Sequence, residues 1–331
     1  MHIKTMRKIL QEYGFFGELR DLSPLQLTRN SGHIRSIYLV TLEGNLKIVC
    51  RISNEAHFPE KIVEQQCSFS EKLRENGIPV ARKYKAKSGN YCIMFSVNSL
   101  MCCVTLEEYV GTEFKDVSLE TFKMLGTLLG KMHFLSEHNP SEINYSTIGS
   151  AIRTDSARFS KLMVNSGLPI YNCSCIRELG AKHDALVLQL KRVLDDLPHG
   201  AVHGDMGVYN NLCIKNEIVS IIDFNLASDD PFLCDMFSCI YSSIYKNSQK
   251  CRLAGIDIDK AFCQFVLAYR SQRQLSNVEK NVYSTAAALF DGLYYCKAII
   301  EEYSTTNDTS TLEQFNYAWT HFEPSSHEPP L

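Results

Sequence analysis

Between about Leu25 and Glu108 the chain is built of short runs in which apolar and polar residues alternate. LQLTRN, IRSIYLVTL, LKIVCRIS, YCIMFSV and MCCVTLEEYV are rich in β-branched and aromatic side chains, and Gly44-Asn45 and Ser88-Gly89-Asn90 stand where turns are needed. This pattern predicts a small antiparallel sheet. One segment breaks it: Pro59 opens the charged stretch EKIVEQQCSFSEKLREN, which stops at Gly77 before Pro79, the punctuation of a helix of about four turns. Past Gly111 the period changes. Phe122, Leu125, Leu129 and Met132 fall on one helical face, and the long patterns around 179–197 and 281–303 are helical too. Residues 201–224, AVHGDMGVYNNLCIKNEIVSIIDF, interrupt that region with two short strands joined near Asn216-Glu217. The expectation is an α+β chain whose first part is a sheet carrying one helix and whose second part is mainly helical with one polar hairpin inside it.

Bulk properties narrow the function classes. At 331 residues and 45% hydrophobic content the chain can fill one large domain or two lobes. The formal charge is -3 and Lys and Arg are dispersed without a basic stripe, so nucleic acid is not expected as a partner. No apolar run reaches the roughly 18 residues that would span a bilayer, and MHIKTMRKILQEYGFF lacks the core and cleavage site of a secretion signal. A cytoplasmic protein without membrane association is expected. The thirteen cysteines form no CxxC, which argues against zinc and for reduced thiols used as small core hydrophobes.

The chemistry is concentrated in the hairpin. His203-Gly204-Asp205 is followed five residues on by Asn210, and eighteen residues after Asp205 comes Asp223 in IIDF. Phosphoryl transfer asks little covalent help of a protein but needs the acceptor oxygen positioned and the phosphate charge neutralised. A carboxylate at Asp205 can take the acceptor hydroxyl's hydrogen bond and its proton, while Asn210 and Asp223 offer hard oxygen ligands to Mg²⁺. His203 would brace the loop. A metallohydrolase using His203, Asp205 and Asp223 is the rival chemistry, and it lacks the further His or Asp cluster that a two-metal site requires.

HGDMGVYNN followed by IIDFNLA resembles the HGDxxxxN and IDF motifs of the aminoglycoside phosphotransferase family, whose relatives include choline kinases and homoserine kinases of the protein-kinase-like fold. RENGIPVARKY, EEYVG and LGTLLGKMH are similar to further family phrases, in the same order. The resemblance implies a bilobal protein-kinase-like fold: a nucleotide-binding lobe over 1–106, a hinge over 107–111, a catalytic and substrate lobe over 112–322, and a disordered tail over 323–331. It implies a kinase that uses ATP or GTP with Mg²⁺ and phosphorylates a hydroxyl of an amino alcohol, hydroxy amino acid, aminoglycoside or sugar.

Residue by residue, the resemblance places Ser31 and Gly32 where backbone N–H groups would cover the phosphates. Arg51 falls at the kinase lysine position, with Lys47 as the alternative because alternation puts Lys47, Val49 and Arg51 on one face. Glu64 is the helix carboxylate expected to hold Arg51, with Gln66 competing for the place. Glu107 and Tyr109 in the hinge would receive the base through their backbone, and Asp235 would anchor the catalytic loop. Asp229, Asp230, Asp291, Glu301 and Glu302, with Tyr294 and Tyr295, could surround a cationic acceptor. A nucleotide-binding pseudoenzyme and a protein kinase are the other classes; the chain has neither a GxGxxG loop nor an APE segment.

Overall fold

The computed structural model describes residues 2–30, 33–54, 59–97, 99–158, 161, 174–207, 211–246, 251 and 254–306. Ser31, Gly32, Asn210 and the tail from Glu323 therefore lie outside the described residues. In chain order the first elements are α1 (Ile3–Glu12), β1 (Leu19–Asn30), β2 (His33–Leu42), β3 (Lys47–Ser53), α2 (Glu60–Glu75), β4 (Lys83–Tyr84), β5 (Cys92–Val97), β6 (Leu100–Glu108) and β7 (Thr112–Glu113). There follow α3 (Leu119–His138), α4 (Ile148–Arg153), α5 (Ser174–Val193), β8 (His199–Val202), β9 (Leu212–Lys215), β10 (Ile218–Ile221), β11 (Ser228–Pro231), α6 (Phe232–Lys246), α7 (Ile258–Gln272) and α8 (Asn277–Thr306). They divide into two compact units, one of Met1–Phe114, Ser141–Tyr145 and Asn211–Ala227, the other of Lys115–Pro140, Ser146–Asn210 and Ser228–Leu331.

The first unit is an antiparallel sheet in the order β1-β2-β3-β6-β4, with β5 also paired to β6. Alternation buries Tyr38, Val40, Ile48, Cys50, Ile52, Val104 and Leu106 in one core, and α1 closes it with Met6, Ile9, Leu10 and Tyr13. Those four positions follow the i, i+3, i+4, i+7 spacing of an amphipathic helix. Tyr13 is satisfied where it is buried, its one hydroxyl proton shared between the carbonyls of Val104 at 2.7 Å and Tyr91 at 2.8 Å. Pro59 is the N-cap residue of α2, whose buried face is Ile62, Gln66, Cys67, Phe69, Ser70 and Leu73. The β9-β10 hairpin turns through Asn216 and Glu217, both at positive φ, as a two-residue turn requires. It does not stay within the helical part. It joins the sheet unit because β9 pairs with β7 and the Ala81 N–H donates to the Ile221 carbonyl. Gly111 makes this approach feasible: at φ +110°, any Cβ there would lie 2.0 Å from the Ile214 carbonyl oxygen.

The second unit is mainly helical. The stripe Phe122, Leu125, Leu129 and Met132 is fully buried on α3, which packs against α7, where Phe265, Val266 and Tyr269 are fully buried too. The two backbones approach closely at Gly126, where a Cβ would stand 2.2 Å from the Phe265 carbonyl oxygen. The β8-β11 ribbon, with Val202 opposite Ser228, leads directly into the HGD loop. Gly126→Ala is accordingly expected to force α3 and α7 apart and to cost about 1–3 kcal/mol. Thermal unfolding checks this, and an unchanged midpoint would contradict so tight a packing.

Candidate functional site

The sheet unit presents a pocket lined by Arg35, Arg51, Gln66, Lys83, Asp223 and Asn225, with apolar walls from Ile37, Val63 and Phe224. Strand pairing explains the cluster. Ile37, Arg51 and Thr105 are opposite one another across β2, β3 and β6, and Val49 is opposite Glu107, so Arg51 and Glu107 share one face. Arg51 Nε donates to Glu107 Oε1 at 2.7 Å, and its Nη1 donates to Asp223 Oδ1 at 2.9 Å. Lys83 forms an ion pair with the other Glu107 oxygen. Burial pushes the Glu107 carboxyl up, but Arg51 and Lys83 outweigh it and hold it down to about 2. Asp223 is at φ 67°, ψ 60°, a left-handed conformation that Asp tolerates better than most residues. Of the two candidates on β3, Arg51 is the one that reaches Asp223. Lys47 is exposed and lies over the Tyr109 ring, its nitrogen 5.4 Å from the ring centre.

The carboxylate expected on Arg51 is placed elsewhere. Both oxygens of Glu64 accept from the Tyr91 N–H, at 2.8 and 3.0 Å, and one also from the Cys92 N–H at 2.8 Å, at the start of β5. The pocket-facing side of α2 carries Val63, Gln66 and Cys67. Two positions on a helix are about 200° apart, so residues 64 and 66 face different ways. Gln66 is an amide and cannot neutralise a guanidinium; its Nε2 instead donates to the carbonyls of Asn225 at 2.9 Å and Ala227 at 3.0 Å, tying α2 to the segment after Asp223. Glu107, from β6, supplies the carboxylate that the helix does not. Sequence reading gave its side chain no role. The signal was an acid ending the apolar strand run CCVTL.

In the helical unit, β8 delivers His203, Gly204 and Asp205. The Gly204 N–H donates to Asp235 Oδ1 at 3.1 Å, and Asp235 Oδ2 is 3.0 Å from His133 Nε2. Burial lowers the His133 pKa below the usual histidine range, so a neutral ring donates from Nε2 to Asp235 and accepts at Nδ1 from the Tyr269 hydroxyl, 2.8 Å away. Arg273, 1% exposed, continues the network to Tyr269, to Glu279 at 2.9 Å and to Glu137 at 3.0 Å. Asp235 stands where the sequence placed the loop's anchor; its partners His133, Tyr269, Arg273, Glu279 and Glu137, far apart in the chain, escaped sequence reading. His203 is fully buried, whereas Asp205 is half-buried at the surface of the unit.

The acids proposed for a cationic acceptor separate into different situations. Asp230 is buried and accepts from Ser146, from Thr147 through both its N–H and its hydroxyl, from the Ile148 and Gly149 N–H groups and from Ser228; it fastens the start of α4 and is removed from the acceptor set. Asp291 accepts from the Tyr245 hydroxyl. The Tyr294 hydroxyl is 2.6 Å from Ser238 Oγ, and burial pushes its pKa up to about 12. The side chains of Tyr295, Glu301 and Glu302 lie outside the described residues.

A model of the phosphotransferase enzyme family matches residues 27–261. No curated protein sequence matches the chain. Among solved structures, the amicoumacin kinase hAmiN in complex with AMP-PNP, Ca²⁺ and Ami is 14% identical, with 98% of this chain and 99% of that chain covered and a TM-score of 0.63. The microcompartment-associated aminopropanol kinase is 16% identical, with 92% and 98% covered and a TM-score of 0.62. Choline kinase LicA from Streptococcus pneumoniae is 12% identical, with 98% of each chain covered and a TM-score of 0.53. These likenesses show the fold, α+β and bilobal in the protein-kinase-like manner. Among the described residues no helix is long and apolar enough to cross a membrane.

The pocket's ion cluster yields a stability test. Glu107→Leu leaves the buried Lys83 without its carboxylate and Arg51 with Asp223 alone, and is expected to cost about 3–5 kcal/mol in denaturant unfolding. The double variant Lys83→Met/Glu107→Leu should recover part of that, because Asp223 still answers Arg51; equal losses in the two would contradict the pairing. The folded carboxyl titrates near 2 rather than 4.5, so its contribution is complete above about pH 4.5 and is lost as pH falls toward 2. Glu107→Gln should flatten that limb of the stability curve.

Proposed function

The chain belongs to the phosphotransferase enzyme family, and we propose on that premise that it is a small-molecule kinase, moving the γ-phosphate of ATP or GTP to a hydroxyl of an amino alcohol, hydroxy amino acid, aminoglycoside or sugar. One observation carries the reading. In the sheet-unit pocket Arg51, its guanidinium fixed by the buried Glu107 carboxylate, donates to Asp223 at 2.9 Å, and this pairing supports reading Arg51 as the phosphate-binding cation and Asp223 as a metal ligand. A planar guanidinium suits phosphate oxygens as a fork, and anchoring by Glu107 limits the entropy lost when it binds.

Asp223 and Asn210 are hard oxygen donors of the kind Mg²⁺ takes. A cation of this kind arrives with its nucleotide and is held largely by phosphates. When bound, it would neutralise charge on the transferring phosphoryl group. Asp205 has the acceptor side of the reaction. Its carboxylate takes the hydrogen bond of the acceptor hydroxyl, so the oxygen's lone pair faces the phosphorus; as the new P–O bond forms and the bond to the leaving nucleoside diphosphate breaks, the hydroxyl proton passes to Asp205. The Gly204–Asp235–His133 network sets the backbone from which that carboxylate projects. The amino compounds in the names of the aminopropanol and choline kinases put amino alcohols first among acceptors to be screened.

ADP release in the presence of Mg²⁺, with ATP and GTP tried in turn across amino alcohols, hydroxy amino acids, aminoglycosides and sugars, is expected to reveal one acceptor class. Asp205→Ala should lower turnover of that acceptor at least about 10²-fold while leaving nucleotide affinity intact, and Asp223→Ala should weaken binding of the metal nucleotide. Near-normal turnover in Asp205→Ala would sink the assignment. Nucleotide binding without turnover on any acceptor would favour a nucleotide-binding pseudoenzyme.

A further inference from the structure

Arg35 is not accounted for by any role assigned so far. It sits on β2 opposite Ser53 of β3 and lines the same pocket as Arg51, Lys83 and Asp223. Lys83 is answered by Glu107, and Arg51 by Glu107 and Asp223 together. Arg35 reaches Asp223 only at 3.5 Å, and its side chain is 34% exposed. With the Asn225 amide turned to satisfy both neighbours, Asn225 donates to Asp223 Oδ1 at 2.6 Å and accepts from Arg35 Nη2 at 2.8 Å. Three cations therefore face two carboxylates, and the surplus guanidinium is the one at the open side of the cluster.

A purely structural role accounts poorly for this arrangement. Asp223 is already paired at 2.9 Å with Arg51, and a partly exposed second ion pair at 3.5 Å adds about 0–1 kcal/mol. A surplus guanidinium next to a carboxylate is suited to a ligand that is itself an anion accompanied by a cation, which is the charge pattern of a metal-bound polyphosphate. We infer that Arg35 is a second phosphate-binding guanidinium, acting beside Arg51 on the outer phosphates of a nucleoside triphosphate. The inference rests on the phosphotransferase reading above. It differs in content, since it concerns a residue that the motifs of that reading do not include.

Calorimetric titration with ATP, ADP and AMP, each with Mg²⁺, is run on wild type, Arg35→Gln and Arg35→Lys, together with the ligand-free unfolding midpoint. Arg35→Gln should weaken ATP about ten- to hundredfold, leave AMP affinity and the midpoint unchanged, and be partly rescued by Arg35→Lys. Unchanged ATP affinity overturns the inference. So does an equal loss for ATP and AMP with a lowered midpoint, the mark of a structural tie. If the wild-type protein binds none of the three nucleotides, the phosphotransferase reading falls and takes this one with it, a pattern distinct from normal wild-type binding with an indifferent Arg35→Gln.

Discussion

A buried carboxylate near the end of an apolar strand organises the pocket of the sheet unit. Glu107 is 2% exposed, and an unanswered charge there would be prohibitively costly, so the fold supplies Lys83 from β4 on one side and Arg51 from β3 on the other. The consequence reaches outward. With its Nε consumed, the Arg51 guanidinium has one orientation left, and that orientation sends Nη1 to Asp223. Asp223 in turn is kept in a left-handed backbone by a segment that Gln66 holds from α2 through two carbonyls. Sheet, helix and hairpin are thereby locked to one another around a site whose outer edge carries more positive than negative charge.

The helical unit solves a different problem with the same means. A loop that must present a half-exposed carboxylate at Asp205 is held by its backbone rather than by its functional side chain: the Gly204 N–H rests on Asp235, itself fixed by a neutral His133. Behind them Tyr269, Arg273, Glu279 and Glu137 complete a network in which each buried polar group named here has a partner. Arg273 also lies over the Phe232 ring, 4.6 Å from its centre. Such an arrangement fixes the backbone of the loop through atoms other than the Asp205 carboxylate.

Much of this was legible in the sequence because its causes are local. Pro59 and Gly77 bound α2, Asn216 and Glu217 accept the positive φ of a hairpin turn, and the α3 stripe is read directly from its spacing. The buried positions Met6, Ile9 and Leu10 of α1, with Tyr13 at its C-cap, have an equally local cause in their helical spacing. Other features depend on register between distant strands. Whether Arg51 meets Glu64 or Glu107 follows from Arg51 standing opposite Thr105, a pairing across 54 positions of chain that no local pattern specifies. The same holds for Arg273 and Glu137, and for the hairpin's membership of the sheet unit, which follows from the pairing of β7 with β9. Asp230 misled by composition alone: an acid near the site was counted for charge, and its neighbours show it capping a helix.

The central claim is that Glu107 acts on the nucleotide only through Arg51. Affinity for Mg-ATP in Arg51→Gln, in Glu107→Gln and in the double variant tests it most directly, because a double-mutant cycle separates a shared mechanism from two independent ones. The account predicts that each single variant weakens binding and that the double variant binds no more weakly than Arg51→Gln alone. Losses that simply add would contradict it, showing that the carboxylate and the guanidinium serve the nucleotide separately.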